Sequence, residues 1–456
     1  MNDRAHRFRS ALVACLALAL ISIAPAPAGA DDTLKDLLVE KGIITEEERD
    51  GLGGDEEEAP APSPSSAGDP DASSEEDPFE NIAIDVSHKG LAIGTRDGAY
   101  KFAFGGRLQV DGAVFDEDES NLGNGVEMRR ARIKSFGTVA TDWDYKLEVN
   151  FDGDGRVPVT DGWIRYSGFK PFTVTVGHQK VPFTQQSMTS SNWQVFQERS
   201  LVDAEIDNSE NGRRRMGIVL QSYGDHWNLA GGGFAGDLDD AGTQDDDWGF
   251  ASRLVFMPIA EKTRLLTVGG AFVHREFEGD SELRIRARPG SHIAGTRLVD
   301  TGLLPTARRN TLAAAESAIV WGPFHGQAEY VHSFIKRGAG NPNLESHAWY
   351  IQAGVFLTGE SRNYDPKSAK FKRPSPKSKW GAWEVAARFD SIDLSDEDIR
   401  GGKQRDFTLG LNWWANLNIM FRVNYIYAHA DPNSGVTLGD DDEKVHTFSA
   451  RAQVVF

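Results

Sequence analysis

The chain has 456 residues, of which 39% are hydrophobic, and its formal net charge is −19. After the first 30 residues it contains no run of the roughly 18 apolar residues that a membrane-spanning helix requires, which excludes a helical membrane protein. The single cysteine, Cys15, lies near the N-terminus, so disulfide and thiol chemistry are excluded for the remainder of the chain.

The first 30 residues have the pattern of a secretory signal peptide. Arg4, Arg7 and Arg9 precede a short apolar run over residues 11–23, and Ala28-Gly29-Ala30 is typical of a cleavage site. We therefore expect residues 1–30 to direct the chain out of the cytoplasm.

Residues 31–80 hold most of the negative charge. They contain 18 Asp and Glu against three Lys and Arg, which leaves a net charge of −6 for residues 81–456. The spacing of Leu34, Leu37 and Leu38 predicts a short helical segment over residues 31–52, which lies in the periplasm and either docks on a periplasmic partner or has no function. The Glu, Asp, Pro, Ser and Ala of residues 53–80 predict a disordered acidic linker.

From residue 81 onward, apolar and polar residues alternate. Trp143, Tyr145, Leu147, Val149 and Phe151 alternate with charged and polar residues, and the pattern recurs over residues 383–390, 407–413 and 417–427. The polar faces carry too many charges to be buried in a core, whereas a barrel with a lipid-facing apolar wall and a water-filled lumen accommodates them. The sequence thus predicts an all-β fold over residues 81–456, a transmembrane antiparallel β-barrel of about 16 strands. We expect these strands to start near residues 101, 130, 143, 160, 171, 213, 226, 247, 264, 312, 324, 346, 380, 404, 417 and 446.

The two ends of such a barrel differ in the length of their connections. Short turns are predicted near residues 140–142, 168–170, 224–225, 322–323 and 415–416, and these face the periplasm in outer-membrane barrels. Longer segments are predicted as external loops or as loops folded into the lumen: residues 115–128, 179–212, 275–311 and 359–379. The last strand alternates over residues 446–456 and ends on Phe456, as the C-terminal signal of bacterial outer-membrane barrels does.

Aromatic residues cluster at the predicted strand ends, as the interfacial girdles of a barrel require. They are Trp143, Trp163, Trp248, Trp349, Trp380, Trp413, Trp414, Tyr425 and Tyr427.

Seven segments carry a more specific pattern: FGGRLQVDG (104–112), MRRARIKSFG (128–137), RYSGFKPFTVTVG (165–177), TSSNWQVFQERSLV (189–202), RIRARPG (284–290), FLTGESRNY (356–364) and WGAWEVAARFDSI (380–392). In this order they resemble the phosphate-selective porins O and P of Gram-negative outer membranes. The resemblance implies a sixteen-stranded barrel, usually a homotrimer, whose lumen is lined by arginines that lead anions to a lysine-rich constriction.

The resemblance also assigns residues. The family's pore-lining, anion-binding arginines match Arg107, Arg129, Arg130, Arg284, Arg286 and Arg288. His292 stands where a further arginine is common, and Arg297 matches across a gap. The constriction lysines fall at Ser187 and at about Asp365 and Ser375, so none is a lysine here. Lys372 and Arg373 lie beside one of these positions and are candidate constriction residues together with Ser187.

The spacing of the arginines also supports an anion path on physical grounds. Arg284, Arg286 and Arg288 occupy alternate positions, so an extended chain places all three on one face. A row of cations beside water attracts anions, and each guanidinium can hold a phosphate or carboxylate in a bidentate manner. On a soluble protein the same row would more simply be a charged edge strand. The basic run 359–379 is either part of the pore or an external loop that binds lipopolysaccharide phosphates.

The sequence therefore predicts an anion-selective porin of the bacterial outer membrane, in contact with its lipid and lipopolysaccharide, that passes phosphate or similar small anions. Three alternatives stay open: a general, carboxylate or polyphosphate porin, a structural protein tethered through its N-terminal segment, and a barrel hydrolase. Enzymatic motifs, metal-ligand spacings and cofactor signatures are lacking in the sequence, and no nucleic-acid partner is expected outside the cell.

Overall fold

The computed structural model describes residues 81–152, 157–206, 212–235, 247–277, 283–431 and 442–456. The predicted signal peptide (1–30), helical segment (31–52) and acidic linker (53–80) lie outside the described residues. Within the described ranges, no helix is long and apolar enough to cross a membrane.

The strands, numbered in chain order, are β1 (Ile82–Ser87), β2 (Gly90–Thr95), β3 (Lys101–Glu117), β4 (Gly125–Val139), β5 (Trp143–Asn150), β6 (Val159–Tyr166), β7 (Phe172–Lys180), β8 (Arg214–Tyr223), β9 (Trp227–Phe234), β10 (Trp248–Ala260), β11 (Arg264–Glu276), β12 (Arg286–Ala287), β13 (Val299–Asp300), β14 (Ala307–Trp321), β15 (Phe324–Arg337), β16 (Leu344–Phe356), β17 (Tyr364–Asp365), β18 (Lys370–Phe371), β19 (Ala382–Asp396), β20 (Ile399–Trp414), β21 (Ile419–Asp431) and β22 (Glu443–Val455). Short helices α1 (Gln185–Met188) and α2 (Asp203–Ile206) flank a 3-10 turn at Ser191–Trp193.

Sixteen of these strands form one closed antiparallel barrel: β3 to β11, β14 to β16 and β19 to β22. The last strand closes the barrel on the first of them, with Val445 opposite Glu117 and Val455 opposite Arg107. Closure leaves the barrel strands paired on both sides. The predicted sixteen-stranded barrel is confirmed.

The alternation of apolar and polar residues in the sequence matches the alternation of outward-facing and lumen-facing side chains in the barrel wall. Leu147 is 48% exposed and faces outward, whereas its neighbour Glu148 is 6% exposed and faces the lumen. Val423 and Arg422 repeat the pattern on β21. Of the predicted girdle aromatics, Trp143 and Trp248 are exposed on the outer wall. Two others were wrongly placed: Trp163 lines a cavity of the lumen, and Trp414 is buried among inward-facing residues.

The two ends of the barrel are defined here by their connections. The turn end carries the short connections 140–142, 167–171, 224–226, 322–323 and 415–418 together with the C-terminal Phe456, and the loop end is opposite. The predicted turns therefore share one end. Residues 359–379 were predicted to form either an external loop or a loop folded into the lumen. They connect β16 to β19 at the turn end and fold into the lumen, so the prediction of an external loop is wrong.

Several strands extend beyond the predicted starts toward the loop end. β14 begins at Ala307 rather than near residue 312, and β20 begins at Ile399 rather than near residue 404. Consecutive residues on both faces are polar there, as in Arg308-Arg309-Asn310 of β14 and Lys403-Gln404 of β20. The alternation that reveals a strand fades, although the backbone pairing continues.

A hairpin outside the sixteen predicted barrel strands, β1–β2, extends the sheet at the turn end. β2 pairs with β3 from Leu91 opposite Phe104 to Gly94 opposite Lys101, next to the point where β22 ends. The outward side chains of the hairpin include Ile84, Val86 and Ile93, so it continues the apolar outer face of the wall.

Candidate functional site

The described part of the long connection between β7 and β8, residues 181–206, folds into the lumen. Carboxylates of the wall accept its backbone N–H groups: Glu316 from Gln185 at 2.8 Å and Glu329 from Gln186 at 2.7 Å. These bonds satisfy free donors at the start of α1. Further along, Asp390 accepts the N–H of Leu201 at 2.9 Å.

Arginines of the wall hold the carbonyl groups of the same segment. Arg422 donates to the carbonyl oxygens of Gln194 and Phe196 at 2.5 and 2.7 Å. Arg451 donates to that of Gln197 at 2.7 Å. The segment is therefore fixed against the wall formed by β14 to β16 and β19 to β22, which we call the packed half of the lumen. The wall formed by β3 to β8 faces the remaining space and is the open half.

A second segment, residues 357–381, enters the lumen from the turn end and meets the first. Arg362 donates to the carbonyl oxygen of Trp193 at 2.8 Å. Arg253 on β10 donates to the carbonyl oxygen of Ala369 at 2.9 Å and pairs with Glu316, which holds the first segment. The two segments narrow the lumen at mid-height from both ends.

The narrowed open half contains the inner cavity, of about 400 Å³. Thirteen cationic side chains and two carboxylates, Glu148 and Asp161, line it. The cations are Arg107, Arg130, Arg132, Lys134, Lys146, Arg165, Lys180, Arg199, Arg213, Arg214, Lys370, Lys372 and Arg373. Such an excess of one sign focuses a positive potential on the water inside.

The two carboxylates neutralise only part of this charge. Glu148 contacts Arg107 at 2.8 Å and Arg132 at 3.1 Å, and Asp161 contacts Lys146 at 2.5 Å and Arg214 at 3.1 Å. Five of the cations have no ion-pair partner among the described residues: Lys134, Arg165, Lys180, Lys370 and Arg373.

Lys370 is a cation of the second segment that lines the inner cavity. Burial lowers the pKa of Lys370 to about 8, and the positive charges of Arg165 and Lys146 act in the same direction. An anion bound in the cavity would raise the pKa of Lys370 again, because it stabilises the charged ammonium.

The outer cavity, of about 610 Å³, adjoins the inner cavity toward the loop end. Eight arginines and two carboxylates, Glu198 and Asp203, line it together with His292. The arginines are Arg129, Arg130, Arg199, Arg213, Arg284, Arg286, Arg288 and Arg297. Arg130, Arg199 and Arg213 line both cavities, so cationic side chains follow one path from the loop end to mid-height.

The three alternating arginines lie in the connection between β11 and β14 rather than in the wall. Their segment is extended but pairs only through the two residues of β12. The three side chains line the outer cavity, while Ile285 and Ala287 between them pack into a hydrophobic cluster. Arg284 is held by Asp300 at 2.7 and 2.5 Å, whereas Arg286 is exposed and has no ion-pair partner among the described residues.

Two consecutive arginines of β4 both face the lumen. A register shift places Arg130 opposite Gln109 and Met128 opposite Val110, so Arg129 is the extra residue of a β-bulge. Arg129 therefore lines the outer cavity although its neighbour Arg130 also faces inward. Arg107 lines the inner cavity.

The candidate constriction residues fall in different places. Lys372 and Arg373 line the inner cavity. Ser187 is buried and lines neither cavity, because its segment is packed against the wall. The ammonium of Lys180 occupies this region instead and donates to the carbonyl oxygen of Ser187 at 2.5 Å.

Several lining cations had not been singled out as pore-lining from the sequence, among them Lys180, Lys370 and Arg199. The inward alternation of Arg130, Arg132 and Lys134 on β4 was a usable signal, and Arg132 forms an ion pair with Glu148 of the neighbouring strand at 3.1 Å. No comparable signal marks Lys180, because its position depends on the first inward segment. Lys370 belongs to the basic run 359–379, for which a place in the pore was one of two predicted options.

A closed sixteen-stranded barrel with a polar lumen narrowed by inward segments defines a porin, a channel of the outer membrane rather than an enzyme. The family profile described as "Phosphate-selective porin O and P" matches residues 102–456. Porin O of Pseudomonas aeruginosa is 30% identical over 404 residues, which cover 80% of this chain and 91% of that protein. The chain therefore belongs to the family of phosphate-selective porins O and P.

Solved structures share the fold at low identity. An anion-selective porin from Comamonas acidovorans is 13% identical, with a TM-score of 0.51, over 78% of this chain and 100% of that chain. The trimer form of OmpT, an outer membrane protein of Vibrio cholerae, is 11% identical, with a TM-score of 0.50, over 78% of this chain and 100% of that chain.

Proposed function

We propose that this porin lets small anions, phosphate among them, diffuse across the outer membrane through the outer and inner cavities. The excess of cations along both cavities carries the proposal, above all the five inner cations without an ion-pair partner among the described residues. Their field attracts anions and repels cations. The exposed Arg286, together with Arg284 and Arg288, captures anions at the loop end.

The inner cavity is the constriction in this proposal. Arg107, Arg130, Lys372 and Arg373 line this cavity, and Lys134 and Lys370 take the place of the missing constriction lysines. Ammonium groups on several elements around one cavity can contact one phosphate from different directions. The description of the family as phosphate-selective supports phosphate over a general anion.

We also propose a homotrimer in the lipid and lipopolysaccharide of the outer membrane. β5, β6 and β9 have only eight residues each, fewer than the roughly 9–11 that a tilted strand needs to cross the hydrocarbon. A neighbouring subunit would cover these short strands, and the trimer form of OmpT, which shares the fold, supports a trimer. Residues 31–52 remain a predicted attachment site for a periplasmic partner.

Titration of the chloride current of the purified protein in a planar bilayer with phosphate, a dicarboxylate and a polyphosphate tests the function. Block at the lowest concentration by phosphate supports a phosphate channel. Equal block by all three would indicate a general anion porin, and preferential block by one of the others would identify the rival substrate.

A further inference from the structure

One carboxylate lies on the cationic path where the two cavities adjoin. Glu198 belongs to the inward segment 181–206 and lines the outer cavity, next to Arg199, which lines both cavities. Its carboxylate accepts two bonds from Arg129, at 2.9 and 3.1 Å, and one from Arg451 at 2.9 Å. Arg130, which also lines both cavities, lies 3.9 Å away.

This carboxylate is ionised. Burial alone would favour its neutral form, but the charges of Arg129, Arg130 and Arg451 outweigh burial and hold the pKa of Glu198 well below its usual range. A permanent negative charge therefore lies beside the path that anions are proposed to follow, and it occupies Arg129, which would otherwise be available to them.

The carboxylate is not required to hold the segment in place. The backbone at this point is anchored separately, because Asn424 accepts the N–H of Gln197 at 2.9 Å and Arg388 donates to the carbonyl oxygen of Glu198 at 3.0 Å. The Glu198 side chain is 19% exposed, whereas that of Arg451 behind it is 0% exposed. The carboxylate thus reaches the water of the cavity from an anchored backbone.

A carboxylate that binds one guanidinium through two parallel bonds uses the geometry that the guanidinium offers to phosphate. A passing anion and Glu198 therefore compete for the same face of Arg129. We propose that Glu198 is a tethered competitor, which the transported anion displaces from Arg129 and which returns as the anion leaves. This inference rests on the proposed anion channel.

Competition of this kind has a function in a channel. Transport requires sites that are favourable to enter but weak enough to leave. Without the tethered carboxylate, Arg129 and Arg130 would hold phosphate for longer and slow its passage, whereas the buried Arg451 stays bound to Asp111 through two bonds of 2.7 Å. Glu198 is in this view a residue that sets the dwell time of the anion.

The test compares wild type, Glu198→Gln and Glu198→Asp by phosphate block of single-channel chloride current. Glu198→Gln removes the competing charge at nearly constant volume, so we expect the half-blocking phosphate concentration to fall about tenfold, with longer blocked intervals. Glu198→Asp keeps the charge and should stay near the wild type. Glu345→Gln, a matched loss of charge on the outer wall, should change nothing, because that residue is exposed and distant from the path.

Equal block in wild type and Glu198→Gln would overturn the inference, as would weaker block in Glu198→Gln. If the Glu198 carboxylate instead anchored the inward segment, Glu198→Gln and Glu198→Asp would both give noisy current. This result would also contradict the inference. The proposed function fails separately, if the wild type itself shows no anion preference.

Discussion

The packed half and the open half of the lumen are both lined by charged side chains, but these have different partners. In the packed half, Glu316, Glu329 and Asp390 accept backbone N–H groups, and Arg422 and Arg451 donate to backbone carbonyls. In the open half, Lys134 and Lys370 have no ion-pair partner among the described residues. Arginine and lysine therefore have two roles in one barrel: those that donate to backbone carbonyls of the inward segments fix the constriction, and those whose charge no carboxylate balances give the cavities their positive field.

The largest expected effect comes from breaking the ion pair that joins Arg253 on β10 to Glu316 of the packed half. Arg253→Ala leaves the buried Glu316 without its partner, and loss of one member of a buried pair costs about 3–5 kcal/mol. Because Arg253 also holds Ala369, both inward segments should loosen. We expect higher and noisier single-channel chloride conductance.

Arg264→Ala is the control for this change. Its ion pair with Glu261 is half exposed on both sides, so its loss should leave conductance at the wild-type value. Wild-type conductance in Arg253→Ala as well would contradict the role assigned to the packed half.

The next effect concerns the open half. Lys370→Gln removes one cation from the inner cavity, and loss of a charge-assisted hydrogen bond should raise the half-blocking phosphate concentration by about tenfold. The exposed Lys336 on the outer wall supplies the control, because Lys336→Gln removes the same charge outside the lumen. An equal effect of both variants would argue for a general change in charge instead of a local site.

The lowered pKa of Lys370 predicts a pH dependence. The ammonium loses its proton as the pH rises through about 8, so anion block should weaken between about pH 7 and pH 9. Sulfate is the appropriate probe, since its own charge stays constant over this range. Lys370→Gln should abolish this step, and a step that persists in the variant would assign the titration to another group.

The smallest effect is expected at the entrance. Replacing Arg284, Arg286 and Arg288 with Ala should lower chloride conductance about twofold at low salt and less at high salt, because exposed charges act through a screened field. Lys444→Ala, on the outer wall, controls for net charge. Unchanged anion preference at low salt would exclude these arginines from the path.

The sequence predicts the wall well and the constriction poorly. Period-two alternation identifies the strands because lipid and water lie on opposite faces of each one, as for Leu147 and Glu148. The bulge at Arg129 breaks this period without any mark in the sequence. Lys180 and Lys370 converge through contacts between segments far apart in the chain, which neither periodicity nor the family's motif positions encode.

The most direct test of the account is the reversal potential of the purified protein in a planar bilayer under a KCl gradient. The cationic cavities predict that chloride carries most of the current, so the potential should lie near the chloride equilibrium value. A reversal potential near zero or near the potassium equilibrium value would contradict an anion path through the open half.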